Sequence, residues 1–263
     1  MRFQGILVFV SIMALLVMSS CLTKGAKAQC VQDGLAAYWS FDADTIEGDT
    51  VKDVWGDHHG TIFGAPEIVG GKVGQAMKFD GEADYIEVPD SDEFKISGKA
   101  VSVEAWIKIE ALPVNYSMIL SKRGTEYMFA INSEGEPGCF FLGDNTVGAG
   151  KMNLSEGIWY HVVWIWDESS GQANVYVDGE EILDYVTGDK SPDSTDPVNI
   201  ARDPGTADAS KYHYNGIIDE MRFYSRVLNE NEIRQNYLAL GFSVKTTARK
   251  LAAVWGQIRS SQN

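Results

Sequence analysis

Carboxylates stand in this chain where they could hold a cation. If residues 217–224 form a strand, alternation puts Ile217, Asp219, Met221 and Phe223 on one face and Ile218, Glu220, Arg222 and Tyr224 on the other. Asp219 then interrupts an apolar row, where an unpaired charge would be costly. It needs a cation, an arginine or several hydrogen-bond donors. The segment Asp53-Val-Trp-Gly-Asp-His-His-Gly60 is short, glycine-punctuated and rich in oxygen donors. Ca2+ accepts about six to eight such ligands in flexible geometry, backbone carbonyls included. A carboxylate tied to backbone amides would satisfy the same residues without a metal.

Other chemistries have less support. His58 and His59 are adjacent, which splays their rings in an extended segment, and neither Cys-x-x-Cys nor His-Glu-x-x-His occurs. Asp219 and Glu220 point to opposite faces of a strand and are unsuited to straddling one glycosidic bond. Gly-x-Ser-x-Gly is absent, and Gly148-Ala-Gly-Lys151 lacks the first glycine and the terminal Ser or Thr of a phosphate-binding loop. Binding is better supplied. Sugar rings present apolar faces to aromatic side chains, while amides and carboxylates fix their hydroxyls. Tyr212 and Tyr214, at the end of the loop that starts at Asp203, join Tyr116, beside Asn115, and Trp106 as candidate platforms, with Asp189–Pro197 as a further polar loop. The competing reading packs these aromatics on the edge or in the core of the fold. Trp39, Trp159 and Trp164 lie inside strand-like runs and read as core.

The elements that must position these residues are β-strands. Val101, Val103, Ala105, Ile107 and Ile109 alternate with Ser102, Glu104, Trp106, Lys108 and Glu110, giving one apolar and one mixed face. The run 158–166 is apolar on both faces apart from His161, as in an interior strand. Asp178-Gly179 between two such runs predicts a type I′ hairpin. One helix is signalled, capped by Asn229 with Glu232 at its third position, ahead of Ile233, Asn236, Tyr237 and Leu240. Glycine-rich punctuation and 11% aromatics complete the composition of an all-β antiparallel sandwich.

The termini differ in character. Arg2 followed by an apolar run from Gly5 to Met18 predicts an export signal. Either Ala26-Lys-Ala28 closes a signal peptide at residues 1–28, or Met18-Ser-Ser-Cys21 closes a lipoprotein signal at 1–20, with Cys21 lipidated. The protein is therefore expected outside a bacterial cytoplasm, secreted or anchored in an outer membrane. Cys30 and Cys139 would then form one candidate disulfide, the alternative being that Cys139 is a small buried apolar residue. Residues 241–263 carry +4 with no acid, which leaves about −19 on the rest of a chain whose net charge is −15. That acidic balance argues against nucleic acid as a partner. Leu251, Val254, Trp255 and Ile258 could line one face of a short basic helix in the tail.

Five segments resemble a known family in the expected order: Gly34-Leu-Ala-Ala-Tyr-Trp-Ser-Phe-Asp42, Met77-Lys-Phe-Asp-Gly-Glu-Ala-Asp-Tyr-Ile-Glu-Val-Pro89, Val103-Glu-Ala-Trp-Ile107, Val175-Tyr-Val-Asp-Gly179 and Asn215-Gly-Ile-Ile-Asp-Glu-Met-Arg-Phe-Tyr-Ser-Arg-Val-Leu-Asn229. Over residues 33–240 the chain is similar to laminin-G-like jelly rolls of the concanavalin A-like lectin/glucanase superfamily. The resemblance implies a two-sheet sandwich whose first and last strands are antiparallel neighbours, bringing Asp42 to Asp219. With Asp53 these are the candidate ligands of a structural Ca2+. Related jelly rolls often carry Asp-Ser-Ser-Gly-Asn-Gly-Asn at the Asp53 loop, from which Trp55, His58 and His59 depart. The Glu-x-Asp-x-x-Glu cluster of the glucanases is absent. The expected function is an exported, non-catalytic module that recognises extracellular polysaccharide or glycan. A surface module contacting another protein is the alternative, and a hydrolase whose acids converge from separate strands is a third.

Overall fold

The structure is a computed structural model and describes residues 29–122, 127–140, 148–186, 194–204 and 212–239. The leader with Cys21, residues 187–193 and 205–211 of the two polar loops, and the basic tail lie outside the described residues. Two antiparallel sheets face each other. One runs, in spatial order, Glu180–Val186, Gln172–Val177, Trp159–Asp167, Ala100–Ile109, Asn215–Tyr224, Gln75–Asp80 and Glu67–Gly70, and Leu35–Trp39 also pairs with Asn215–Tyr224. The other runs Gly148–Ala149, Pro137–Phe140, Tyr127–Asn132, Tyr116–Lys122, Val198–Ile200, Tyr85–Val88, Gly60–Phe63, Thr50–Val51 and Ile46–Glu47.

Alternation decides what lies between them. Val101, Val103, Ala105, Ile107 and Ile109 all enter the inter-sheet core, together with Trp39, Phe79, Phe129, Trp164 and Phe223. The strand Trp159–Asp167 is interior, as its two-sided apolarity predicts: Val162, Trp164 and Trp166 face the other sheet, while Val163 and Ile165 join a second apolar cluster on the outer face. Asp178 and Gly179 carry φ of 51° and 84°, the two positive angles that a type I′ turn requires.

The helix α1, Glu230–Leu238, closes that outer face. Its capping box is complete: Asn229 Oδ1 accepts from Glu232 N at 3.1 Å, and Asn229 N donates to Glu232 Oε2 at 3.0 Å. Ile233 and Leu228 pack with Val31, Leu35, Tyr38, Val163, Ile165, Tyr176 and Tyr224, so the helix covers the sheet that carries the first and last strands.

The last strand departs from simple alternation. Its register shifts between Asp219 and Arg222, and Glu220 adopts a φ of 54°, so a bulge absorbs one residue. Ile218, not Ile217, therefore joins Met221 and Phe223 in the core, and the row of Ile217, Asp219, Met221 and Phe223 expected from period two does not form.

Candidate functional site

Asp219 sits where two strands meet end to end. The strand Gln75–Asp80 pairs with the last strand as far as Ile218↔Met77, and the first strand pairs from Trp39↔Met221 onward. The carboxylate lies in the gap between them, fully buried. Its Oδ2 accepts from Val73 N at 2.9 Å, and its Oδ1 has no partner. Asp42, just past the first strand, accepts from Gln75 N at 2.8 Å, and its charge bears on Asp219. Burial pushes the Asp219 carboxyl up to about 8 despite the Val73 and Lys72 amides. Residues 71–74 fold over both acids: a Cβ on Gly74, whose φ is 59°, would run into Asp42 Oδ1, and one on Gly71 would strike Asp219 Oδ2. Phe41 and Glu220, each next to one of the acids, both hold the left-handed backbone that non-glycine residues rarely adopt. An orphaned buried carboxylate oxygen beside a second acid fits a hard divalent cation in donor type.

Asp53 does not belong to that pair. Its Oδ1 accepts from Tyr38 N and Trp55 N, both at 2.9 Å, and its Oδ2 from His58 N at 3.1 Å. The carboxylate is thus spent on its own loop and on the first strand, and the loop also offers His58 O to Trp39 Nε1 at 2.8 Å. Among the described residues no group of three His, Cys, Asp or Glu side chains is arranged to hold a metal. The expected three-carboxylate set reduces to Asp42 and Asp219.

At another end of the sandwich, residues 111–115, His213 and Asn215 line a cavity of about 340 Å3 together with Gly81 and Ser117. Leu112 and Val114 give it an exposed apolar side, 37% and 92% accessible, and Asn115 and Asn215 bring amides. Asn215 is fixed through Nδ2 to Asp80 O at 3.1 Å. His213 lines the cavity, 8% exposed, with neither ring nitrogen hydrogen-bonded. Ser117 Oγ donates to its carbonyl at 3.1 Å and so holds the backbone, not the ring. Burial, then the nearby Arg202 charge, push the His213 imidazole below its ordinary range, against the opposing pull of Asp80 and Asp84. Tyr85 meets the ring edge-on at 6.0 Å, itself sandwiched between Phe63, at 4.6 Å, and the Arg202 guanidinium, at 3.5 Å.

The structure sorts the expected aromatic platforms. Tyr116 is half-buried between the cavity residues Asn115 and Ser117, and Tyr212 is half-buried beside His213. Tyr214 is fully buried in the inter-sheet core and cannot stack on a ligand. Trp106 is also covered: Lys72 Nζ lies 4.2 Å from its ring centroid and Tyr237 of α1 stacks at 5.6 Å, leaving 3% exposed. His213 itself escaped the sequence reading. Its only signal was a histidine between two tyrosines, where alternation must send it to the side opposite Tyr214.

The covered face carries a polar network. Glu104 pairs with Arg222 at 2.9 Å, Arg222 also pairs with Glu220, and Tyr38 Oη donates to Glu220 at 2.7 Å. Asn236 of α1 donates to both Glu104 oxygens at 3.0 Å and accepts from Val31 N at 2.7 Å. His161 Nε2 lies 3.5 Å from Glu104 Oε2, an electrostatic contact without hydrogen-bond alignment. Burial alone would raise the Glu104 carboxyl, but His161 and Arg222 hold it down to about 2. Cys30 lies within the field of this network, whereas Cys139 belongs to the inter-sheet core. The expected disulfide is therefore absent: both thiols are free and buried on opposite sides of one sheet, and burial pushes them up to about 11 and about 12.

Residues 80–234 match Laminin_G_3, of the concanavalin A-like lectin/glucanases superfamily. No curated protein matches the chain. Among solved structures, it is similar to the binding domain of Paraclostridial Mosquitocidal Protein 1, with a TM-score of 0.64 and 16% identity over 78% of this chain and 52% of that one. It is also similar to domain 4 of AbnA, a GH43 extracellular arabinanase from Geobacillus stearothermophilus, in complex with arabinotriose: TM-score 0.58, 20% identity, 77% of this chain and 98% of that one. Trypanosoma rangeli sialidase in complex with sialic acid matches with a TM-score of 0.63 and 19% identity over 81% of this chain. The chain spans about half of the first of these proteins and about a third (34%) of the sialidase.

Proposed function

The chain belongs to the concanavalin A-like lectin/glucanase superfamily, and from that premise we propose that it is an exported, non-catalytic module for extracellular carbohydrate. The observation that carries this reading is the cavity between residues 111–115, His213 and Asn215, which combines an exposed apolar side with the amides of Asn115 and Asn215. That mixture suits a ring with one C–H face and a hydroxylated edge. The AbnA domain, almost all of which this chain covers, was solved with an arabinose oligomer, which supports the ligand class. The acids of the sealed network are spent on Arg222, Asn236 and Tyr38 and have no path to a glycosidic bond in this conformation.

Asp42 and Asp219 would hold a structural Ca2+, which fastens residues 71–74 to the junction of the first and last strands. The cation would supply the positive charge that the buried Oδ1 lacks. Thermal denaturation in EDTA and in Ca2+, repeated across soluble polysaccharides, tests both parts. A binding module gains melting temperature with one glycan class. Release of reducing sugar from any of them would overturn the non-catalytic reading.

A further inference from the structure

The helix α1 covers part of the outer face of its sheet and runs in a defined direction. Leu228 N, just ahead of it, donates to Ser102 Oγ at 2.9 Å, Asn236 within it donates to Glu104, and Tyr237 stacks on Trp106. It therefore advances along the strand Ala100–Ile109 toward that strand's end. The next outward position on the strand is Lys108, which pairs with Trp159 as Trp106 pairs with His161. There the cover thins: Trp106 is 3% exposed, whereas Trp159 and Lys108 are only half-buried, the Lys108 ammonium lying 5.4 Å from the Trp159 ring centroid. Ile158, 51% exposed, and Leu112, 37% exposed, continue the apolar surface. Gly157 N donates to Ile109 O at 2.8 Å and Leu112 N to Glu156 Oε1 at 2.9 Å, which laces their two loops together. We infer that this strip of Trp159, Ile158 and Leu112 is the docking surface for the chain's own basic segment 241–263.

Three observations support that occupant. The first is position. Ala239, buried and extended, ends α1 on this heading, with Leu238 exposed at the exit. Lys108 lies two strand residues beyond Trp106, about 7 Å, and the chain from Ala239 to Leu251 can span about 40 Å, so the segment reaches the strip with length to spare. Pattern is the second. Leu251, Val254, Trp255 and Ile258 recur at the spacing of one helical face, and an exposed apolar patch with a polar rim is a surface such a stripe can cover. Charge is the third. The segment carries +4 without an acid against about −19 on the rest of the chain, and Glu156 and Glu67 stand exposed beside the strip and on its outer row. Of the lysines on that row, Lys78 is already paired with Glu110 at 2.7 Å. The inference does not depend on the carbohydrate reading, since Leu112 alone is shared with the cavity.

The test joins lysine cross-linking of the full chain, read by mass spectrometry, to hydrogen exchange. Wild type, Ile158→Ser and Trp255→Ser are compared, each also as a mixture of isotope-labelled and unlabelled protein. The expected result is Lys250 joined to Lys108 or Lys78 within one molecule. Amides of residues 108–112 and 156–160 should exchange about tenfold faster in either variant than in wild type, while the inter-sheet core exchanges equally in all three, which excludes unfolding as the cause. Links from Lys250 to Lys52, Lys95 or Lys99 in place of the strip lysines, or equal exchange of the strip in all three proteins, would overturn the inference. Links between labelled and unlabelled chains would assign the segment to a second copy. Co-sedimentation with vesicles of phosphatidylcholine and phosphatidylglycerol, abolished by Trp255→Ser and untouched by Ile158→Ser, would assign it to a lipid surface. Either assignment overturns docking on its own sandwich.

Discussion

Two buried histidines, neither hydrogen-bonded through its ring, sit in opposite surroundings. His161 lies in the face sealed by α1, 3.5 Å from Glu104, amid a network in which Arg222, Asn236, Tyr38 and Tyr224 exchange hydrogen bonds. His213 lies at the loop end beside a cavity, and its nitrogens meet nothing. The first region has the acids, arginine and aromatics that resemble a binding site in sequence, yet they are consumed in docking a helix. The second is chemically modest and unfinished. Residue type thus identifies a site less well than cover does: the acids and arginine lie under α1, whereas His213 stands among residues that line an open cavity.

The sharpest way to break this comparison is to damage the sealed face. Arg222→Met leaves Glu104 and Glu220 buried without their cation, and should cost about 3–5 kcal/mol in urea denaturation. A loss below about 1 kcal/mol would mean that the face is not sealed. Next in size is the cation. With Ca2+ at a hundredfold excess over Kd, the melting transition should gain about 2.7 kcal/mol over EDTA. Asp219→Asn should abolish the gain, and in EDTA should melt no lower than wild type, since burial already pushes the carboxyl up to about 8 and toward its neutral form.

Acid should separate the regions as well. Glu104 titrates at about 2 in the fold against an ordinary 4.5, so its stabilising contribution is complete above about 4.5 and lost as pH falls through about 2. Melting curves between pH 5 and pH 2 should fall in wild type and flatten in Glu104→Gln, whose absolute stability is lower at neutral pH. The smallest effect concerns the cap: Asn229→Ala removes half of the capping box and should cost about 1 kcal/mol. Chemical denaturation reads it directly, and no change would mean that α1 is held by Asn236 and Ile233 alone.

Local patterns carried most of the architecture. The apolar alternation from Val101 to Ile109, the Asp178-Gly179 turn and the Asn229/Glu232 cap each depend on neighbours within a few residues, and each forms as its spacing implies. The site did not read out so well, because it depends on which distant element covers which face. Trp106 looks like a groove residue until Tyr237, far along the chain, lies on it. Tyr214 looks like an edge aromatic, but the last strand carries it into the core, and His213 beside it takes the cavity instead. Asp42 and Asp219 share an interaction through strand adjacency, whereas Asp53 is satisfied by its own loop and by Tyr38 N of the first strand. The bulge at Glu220 resets the faces of the last strand, and no residue type in that segment announces it.

The most direct test of the contrast is calorimetric melting of wild type, Asn115→Ala at the cavity and Asn236→Ala in the sealed face, each with and without the soluble polysaccharide that binds most tightly. The account predicts that Asn236→Ala melts lower alone yet keeps the rise with glycan, while Asn115→Ala melts as wild type alone and loses most of that rise. A rise that survives in Asn115→Ala and disappears in Asn236→Ala would contradict it.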